Sequence, residues 1–319
     1  MNTLPVLTVQ NLCVGLRVEN RFRSILDKIG FSIQPGSLTA IIGESGCGKS
    51  TLCKALPDLL DPKFTVSGSI ELSNTDDSIT TINLNDSRAL AGIRGRRIGL
   101  LFQEPGLTLN PVLTVGRQIC DILPNSDRAE ALRLLETVGF SEPAQIFRMY
   151  AHELSGGQSQ RVALALALAG QPRILIVDEP ATALDSIARQ EFFDLLRRLK
   201  AESGLAILMV THDLHELTER ADRIIVLYSG WVVEQGDSRS ILEHPAHPYS
   251  KALLDIFSAF RKGLWPVSIP GEVADSKTDA GCRFAGRCDF AQPICRSETP
   301  PLLKSSDHRA VRCHFPLPH

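Results

Sequence analysis

Nine residues, Gly43-Glu44-Ser45-Gly46-Cys47-Gly48-Lys49-Ser50-Thr51, constrain this chain more than any other stretch. They follow the apolar run Leu38-Thr39-Ala40-Ile41-Ile42, which reads as a buried strand. They precede Leu52-Cys53-Lys54-Ala55-Leu56, which reads as the start of a helix. Strand, glycine-rich loop, Lys-Ser and helix is the setting of a phosphate-binding P-loop. The glycines let backbone wrap a phosphate chain, because no Cβ blocks the approach. The loop N–H groups and the helix N-terminus supply partial positive charge. Lys49 has the reach for β- and γ-phosphates, and the Ser50 hydroxyl is a ligand for Mg²⁺. A chance match in an ordinary strand-turn-helix connection is the competing reading of the nine residues alone.

A chain of 319 residues with 43% hydrophobic and 22% charged residues can build one large domain or two modest ones. The net charge of −2 carries no electrostatic footprint for nucleic acid. No apolar run reaches the length of a membrane span, and Met1-Asn2-Thr3-Leu4-Pro5 lacks the basic and apolar regions of a signal peptide. The expectation is a cytosolic chain that can sit on a membrane protein, with its eight cysteines reduced.

Residues 6–36 read as two short strands and a hairpin. Phe22, in a polar stretch, is placed either to stack on a purine or to cover the rim of a small sheet. A polar β-type stretch, Gly68 to Leu84, leads to a short helix capped by Asn85 or Asp86. Arg97 to Phe102 reads as a buried strand ending in Gln103-Glu104-Pro105, where Gln103 can touch Mg²⁺ or an attacking water. Residues 111–170 change character: Thr114–Leu123, Asp127–Val138 and Ser155–Ala169 read as helices of an inserted helical subdomain. The last of these begins at Leu154-Ser155-Gly156-Gly157-Gln158, where Ser155 is an N-cap and two glycines bare a second anion site, or simply a well-capped helix.

Ile174-Leu175-Ile176-Val177 then forms a central parallel strand with Asp178 and Glu179 at its carboxyl end, where open α/β sheets bind ligands. Asp178 can hold Mg²⁺ through water, and Glu179 can polarise the water that attacks a γ-phosphate. Adjacent carboxylates repel unless a cation or a shared proton compensates. Asp185 caps an amphipathic helix running to Ser203. Ala206 to Thr211 is another core strand, ending in His212, a γ-phosphate sensor or a helix-start histidine. A hairpin around Ser229-Gly230 and two short helices follow, and composition shifts near Phe260.

These motifs stand in the order of an ATP-binding cassette ATPase, which the chain resembles over residues 6 to about 258. The resemblance implies a P-loop at Gly43–Thr51, a Q-loop glutamine at Gln103 and a signature at Leu154–Gln158. It implies a Walker B strand at Ile174–Asp178, a catalytic Glu179, a D-loop Asp185, a switch His212 and an adenine-stacking Phe22. A narrower resemblance is to dipeptide and oligopeptide importer ATPases, a group that also includes importers of nickel and other small solutes. It rests on Phe102-Gln103-Glu104-Pro105 with Leu109-Asn110-Pro111-Val112, and on His247-Pro248-Tyr249-Ser250-Lys251-Ala252-Leu253-Leu254. The tail segments Ile269-Pro270-Gly271-Glu272-Val273 and Gly281-Cys282-Arg283-Phe284-Ala285-Gly286-Arg287-Cys288 extend it. Three departures stand out: Ser159 where arginine is usual, Ala181 where threonine is common, and a polar excursion at 73–83 of no evident role.

The implied fold is α/β: a P-loop core with an antiparallel β subdomain, an inserted helical subdomain (about 111–170) and a small Cys-rich extension. The expected division is 1–258 and 259–319. The implied cofactors are ATP and Mg²⁺, the latter through Ser50, Gln103 and Asp178. The implied partners are a second, head-to-tail ATPase subunit that is a different chain, two membrane permeases and a separate solute-binding protein, at the cytoplasmic face of the inner membrane, with no nucleic acid. A translation or repair cassette normally carries two cassettes or a coiled-coil insertion, and a small-molecule kinase has no use for the signature.

In the tail, Cys282, Cys288, Cys295 and Cys313 follow C-x5-C-x6-C-x17-C. Four thiols in a short segment with little apolar sequence suggest a shared ligand that supplies the missing constraint. Zn²⁺ and an iron–sulfur cluster both accept four thiolates. The wide spacing, without a C-x2-C pair, suits a [4Fe–4S] cluster better than zinc, and some of the importer ATPases that the chain resembles carry one there. Four unliganded cysteines in a small core is the third reading. The expected role is structural, bracing the tail against a partner ATPase, because the segment is far in sequence from every nucleotide motif.

Overall fold

The computed structural model describes residues 4–18, 21–74, 76–102, 104, 108–180, 184–211, 220–261, 269–271, 280–304 and 309–318. Twelve strands form two sheets among them. In chain order they are β1 (Leu7–Val18), β2 (Arg21–Ile33), β3 (Leu38–Ile42), β4 (Phe64–Ser73), β5 (Ile79–Asn83), β6 (Ile98–Leu101), β7 (Ile174–Asp178), β8 (Ala206–Val210), β9 (Arg223–Tyr228), β10 (Trp231–Asp237), β11 (Leu303–Lys304) and β12 (Ala310–Val311). An antiparallel sheet has the order β2-β1-β4-β5, and an eight-stranded sheet has the order β11-β12-β10-β9-β3-β8-β7-β6.

The five strands from β6 to β9 in the larger sheet pair in parallel. Such strands are covered on both faces and read as unbroken apolar runs. The two-residue period then divides each strand between two cores. On β3, Leu38, Ala40 and Ile42 face the helical side, with Leu175 and Val177 of β7. Ile41, with Ile174 and Ile176, faces the antiparallel sheet.

β1 and β2 are longer than the short strands expected, at 12 and 13 residues, and register shifts break their pairing. Those irregularities interrupt the alternation that would have revealed the length. The polar excursion at 73–83 has a structural role. β5 pairs with β4 as the sheet edge, and the carbonyl of Ser73 accepts from Arg97 and Arg173 at 2.8 and 2.9 Å. Asn74 accepts from Arg97 at 2.8 Å. Two arginines next to core strands thus fasten one sheet to the other.

The helical insertion contains Val115–Ile122, Arg128–Thr137, Pro143–Arg148 and Gly156–Leu168. Thr114, Asp127 and Ser155 cap three of these, each accepting a backbone N–H of the first turn. The six-residue helix from Pro143 was missed, being too short to show a period. Of the two short helices expected after β10, Ser238–Glu243 is short and Pro248–Arg261 has 14 residues.

Candidate functional site: a phosphate loop, a cation pair and a second helix start

The loop leaving β3 needs glycine at two positions for steric reasons. Gly43 has φ +154°, and a Cβ there would lie 2.1 Å from the Leu227 carbonyl oxygen. Gly48 has φ +107°, and its Cβ would lie 2.6 Å from Leu26 Cδ2. The helix Lys49–Ala55 starts immediately after. Lys49 is buried, and its Nζ donates to the carbonyls of Gly43 (2.8 Å) and Glu44 (3.0 Å). The ammonium is thus held inside the ring of loop residues, with Ser45 and Gly46 exposed at the mouth.

The Ser50 hydroxyl donates to Asp178 Oδ1 at 3.1 Å. That contact crosses from the loop after β3 to the end of β7, with β8 between them in the sheet. Asp178 is 5% exposed. Burial pushes its carboxyl pKa up, the Ser50 hydrogen bond opposes this, and the charge of Glu179 adds a smaller upward push. The repulsion expected between the two carboxylates is therefore secondary to desolvation. A buried carboxylate beside a hydroxyl is a donor set that would fit Mg²⁺. Glu179 has φ +46°, a costly conformation for a side chain of its size. Its N–H donates to the Val210 carbonyl at 3.0 Å, so the strained residue is fastened to β8. Such strain concentrates at functional positions. Gln103 and His212 lie outside the described residues, as does Ala181.

Phe22 is 61% exposed. Its ring lies over Gly15, where a Cβ would be 2.0 Å from Phe22 Cζ. The ring thus covers the sheet at Gly15 and still presents surface to solvent.

The second helix start is a capping box: Ser155 Oγ accepts from Gln158 N at 3.3 Å, and Gln158 Oε1 accepts from Ser155 N at 2.9 Å. Ser155 and Gly156 are exposed. They line a cleft of about 450 Å³ together with Gly157, Gln158, Arg161 and Asp185. No residue of 43–51 lines this cleft, so the chain carries two separate helix starts of this kind. Asp185 caps the helix Ser186–Ser203, accepting from Ile187 N and Ala188 N at 3.0 and 2.9 Å. Ser159 is buried, and its neighbour Gln160 donates to the Pro180 carbonyl beside Glu179. The helix that begins at Ser155 is therefore tied to the end of β7.

The four tail cysteines line one cavity of about 20 Å³, with His247, Phe284, Phe290 and Phe315 among the other walls. Burial raises the pKa of Cys282, Cys288 and Cys313, the last to about 11. Among the described residues no three His, Cys, Asp or Glu side chains are placed to share one metal ion. The described geometry thus supports neither the zinc nor the iron–sulfur expectation.

The tail is far in sequence from the P-loop but not in space. β12 pairs with β10 and extends the main sheet. Arg283 donates to Asp27 and to the Ser229 carbonyl, and both its guanidinium and that of Arg312 lie over the Trp231 ring. Arg309 forms a buried pair with Glu234. Arg287 ion-pairs Glu44 within the P-loop itself, and Tyr249 Oη accepts from Glu44 N at 2.8 Å. Sequence reasoning missed the buried Arg309–Glu234 pair and, at the loop, Arg287 and Tyr249. The His247-Pro248-Tyr249 motif marked the last of them without revealing what it touches.

Two family models match the chain. The one described as "ABC transporter" covers residues 26–182. The one described as "Oligopeptide/dipeptide transporter, C-terminal region" covers residues 233–295. A curated relative from Brucella melitensis biotype 1, named "Putative peptide import ATP-binding protein", is 38% identical over 100% of this chain and 97% of its own length. A relative of the same description from Brucella abortus (strain 2308) is also 38% identical with the same coverage. Among solved structures, a dimeric ATP-binding cassette in a post-hydrolysis state bound to ADP and Pi matches with TM-score 0.61 and 29% identity. The match covers 73% of this chain and 99% of that one. A Clostridium perfringens protein described as part of the ABC transporter complex cbiONQ matches with TM-score 0.62 and 26% identity, covering 81% and 97%. Fold, loop geometry and these likenesses agree: the chain belongs to the ABC transporter ATPase family, in the peptide-importer group.

Proposed function

We propose that this chain is the ATP-hydrolysing subunit of a peptide importer. The observation that carries the reading is the pairing, on one chain, of a complete phosphate loop with a second exposed anion-binding helix start that no residue of that loop reaches. The match of residues 233–295 to the oligopeptide/dipeptide transporter region supports peptide as the solute. Two such chains meeting head to tail use both features, each ATP lying between the loop 43–51 of one subunit and Ser155–Gly157 of the other. The second subunit, two permeases and a solute-binding protein complete the assembly, with this chain peripheral on the cytoplasmic face of the inner membrane.

In this reading Lys49 leaves the Gly43 and Glu44 carbonyls for the β- and γ-phosphate oxygens. Ser50 and Asp178 would hold Mg²⁺, with Gln103 as a further ligand, and the ion would neutralise charge developing on those oxygens. Glu179 orients a water and accepts its proton as the water oxygen bonds to the γ-phosphorus. The bond from that phosphorus to the β-phosphate oxygen breaks, giving ADP and phosphate. His212 serves as the γ-phosphate sensor, and Phe22 stacks on adenine. Residues 1–258 form the ATPase domain and 259–319 the extension.

We further infer that Cys282, Cys288, Cys295 and Cys313 form a four-thiolate ligand set for an iron–sulfur cluster. Their convergence on one almost wholly apolar cavity supports this. The cavity has room for one or two waters, so it must widen to admit the group. When bound, the cluster supplies a structural crosslink within the tail. Anaerobic purification with metal analysis and visible absorption tests this. Near-zero iron in folded protein, or zinc without iron, removes the cluster.

The function itself is tested by reconstituting this chain with its permeases and second ATPase in vesicles. Peptide uptake that requires ATP and is lost in Lys49→Ala is the expected result. Peptide-independent hydrolysis with no uptake would overturn the peptide reading.

A further inference from the structure

Glu44 is fixed at every polar group it has. Its N–H donates to Tyr249 Oη at 2.8 Å, its carbonyl accepts from Lys49 Nζ at 3.0 Å, and its carboxylate accepts two hydrogen bonds from Arg287. The guanidinium meets it end on, Nη1 to Oε2 at 2.7 Å and Nη2 to Oε1 at 2.9 Å. The remaining donors of Arg287 are also placed. Nε donates to the Pro270 carbonyl at 3.0 Å, Nη2 to the Ile269 carbonyl at 3.1 Å, and Nη1 to Tyr228 Oη at 3.3 Å. A guanidinium has five N–H donors in a rigid fork, and all five are used here. Its side chain is 6% exposed, against 26% for Glu44. The turn that carries it, Ala285–Arg287, lies between Cys282 and Cys288.

This is an unusual demand on a phosphate loop. A carboxylate beside a site for a polyphosphate repels that ligand unless its charge is neutralised, and the neutralising charge comes from a residue 243 positions away in the extension. Surface ion pairs contribute little, but this pair is partly desolvated and bidentate, the geometry in which Arg–carboxylate pairs are strong and directional. Lysine, a point charge with three donors, cannot reproduce it.

We infer that Arg287 is a positioning residue for nucleotide. Acting through Glu44, it cancels the one negative charge in the phosphate loop and holds the Gly43–Glu44 backbone in the shape that receives phosphate. The extension is therefore a working part of the nucleotide site. The inference rests on ATP binding at the loop 43–51.

Nucleotide affinity of the full chain, measured with a fluorescent ATP analogue, tests it. Arg287→Gln should weaken binding by roughly tenfold, from one unneutralised charge near the phosphates at intermediate dielectric. The loss should shrink at raised salt. Arg287→Lys should fall between wild type and Arg287→Gln. Adding Glu44→Gln to Arg287→Gln should recover most of the affinity, because the repelling charge is gone. In the assembled transporter, Arg287→Gln should raise KM for ATP more than it lowers kcat. Wild-type affinity in Arg287→Gln would overturn the inference. So would a loss that Glu44→Gln does not relieve, since a variant whose only fault is a loosened extension has nothing to regain from a neutral loop. Lys49→Ala separates the two readings. If it binds nucleotide normally, the loop is not the site. If it fails to bind while Arg287→Gln binds normally, only the role of Arg287 falls.

Discussion

Replacing Arg309 with methionine should loosen the extension by about 3 kcal/mol, and the structure sets that figure. Glu234 is 0% exposed and Arg309 2%, so the pair has no solvent to fall back on. Arg309 Nε donates to Glu234 Oε1 at 2.8 Å, and its Nη2 donates to the same oxygen and to the His244 carbonyl. Removing one partner of such a pair costs roughly 3–5 kcal/mol, because the other charge stays buried. Here Glu234 keeps two N–H donors, Ala246 at 2.9 Å and His247 at 3.0 Å. That residual solvation sets the cost near the lower end, about 3 kcal/mol. At 1.4 kcal/mol per decade, the opened fraction of the extension should rise by about two orders of magnitude. Native-state proteolysis reads this directly when opening is fast relative to cleavage. The cleavage rate in the tail should rise about a hundredfold, with the remaining body cut no faster. Adding Glu234→Gln should recover at least half of the effect, because the abandoned charge is then absent. A rise below about fivefold, or no recovery in the double variant, would refute the electrostatic reasoning.

Glu179→Gln should retain ATP binding and hydrolyse about 10²- to 10⁴-fold more slowly in the assembled transporter; ordinary single-turnover rates would show that another group handles the water. Ser155→Arg should stop hydrolysis in the assembly while this chain still binds ATP at its own loop, and loss of binding by the isolated subunit would mean that Ser155 is only a cap. Asp178→Asn should raise the Tm of the nucleotide-free chain at pH 7. The sign follows from burial: the folded-state pKa of Asp178 is raised, so folding favours the protonated acid and its cost appears as pH rises through that pKa. The Tm advantage should therefore shrink towards pH 4, and an advantage independent of pH would contradict the assignment.

The parallel core was legible because its strands are apolar on both faces, as at Leu38–Ile42 and Ile174–Asp178. The helix caps at Ser155 and Asp185, and the cap at Asn85 or Asp86 that proves to be Asp86, were legible because each oxygen acts within three residues of itself. Ser50 meeting Asp178 followed from the strand-end rule. What could not be read depends on pairings across the whole chain. Nothing near Arg287 in sequence points to Glu44, and nothing near Arg309 points to Glu234. Bulges hid the length of β1 and β2, and the excursion at 73–83 made sense only once Arg97 and Arg173 were seen to reach it. Adjacency of Asp178 and Glu179 overstated their repulsion, because burial, which sequence does not display, is the larger cause.

β12 has a consequence for the edge of the main sheet. It joins β10 through Glu234–Val311 and Gln235–Ala310, and Arg312 N donates to the Val233 carbonyl at 2.8 Å. Without it, β10 would end the sheet as an open edge carrying Trp231, Val232 and Val233, a template onto which another strand can add. β11 then closes the new edge with two residues, one of them Lys304, and an edge that short and charged recruits poorly. Chains truncated before residue 259 should therefore self-associate as well as lose the tail, and the same hazard should arise transiently during synthesis, when β10 has left the ribosome and β12 has not.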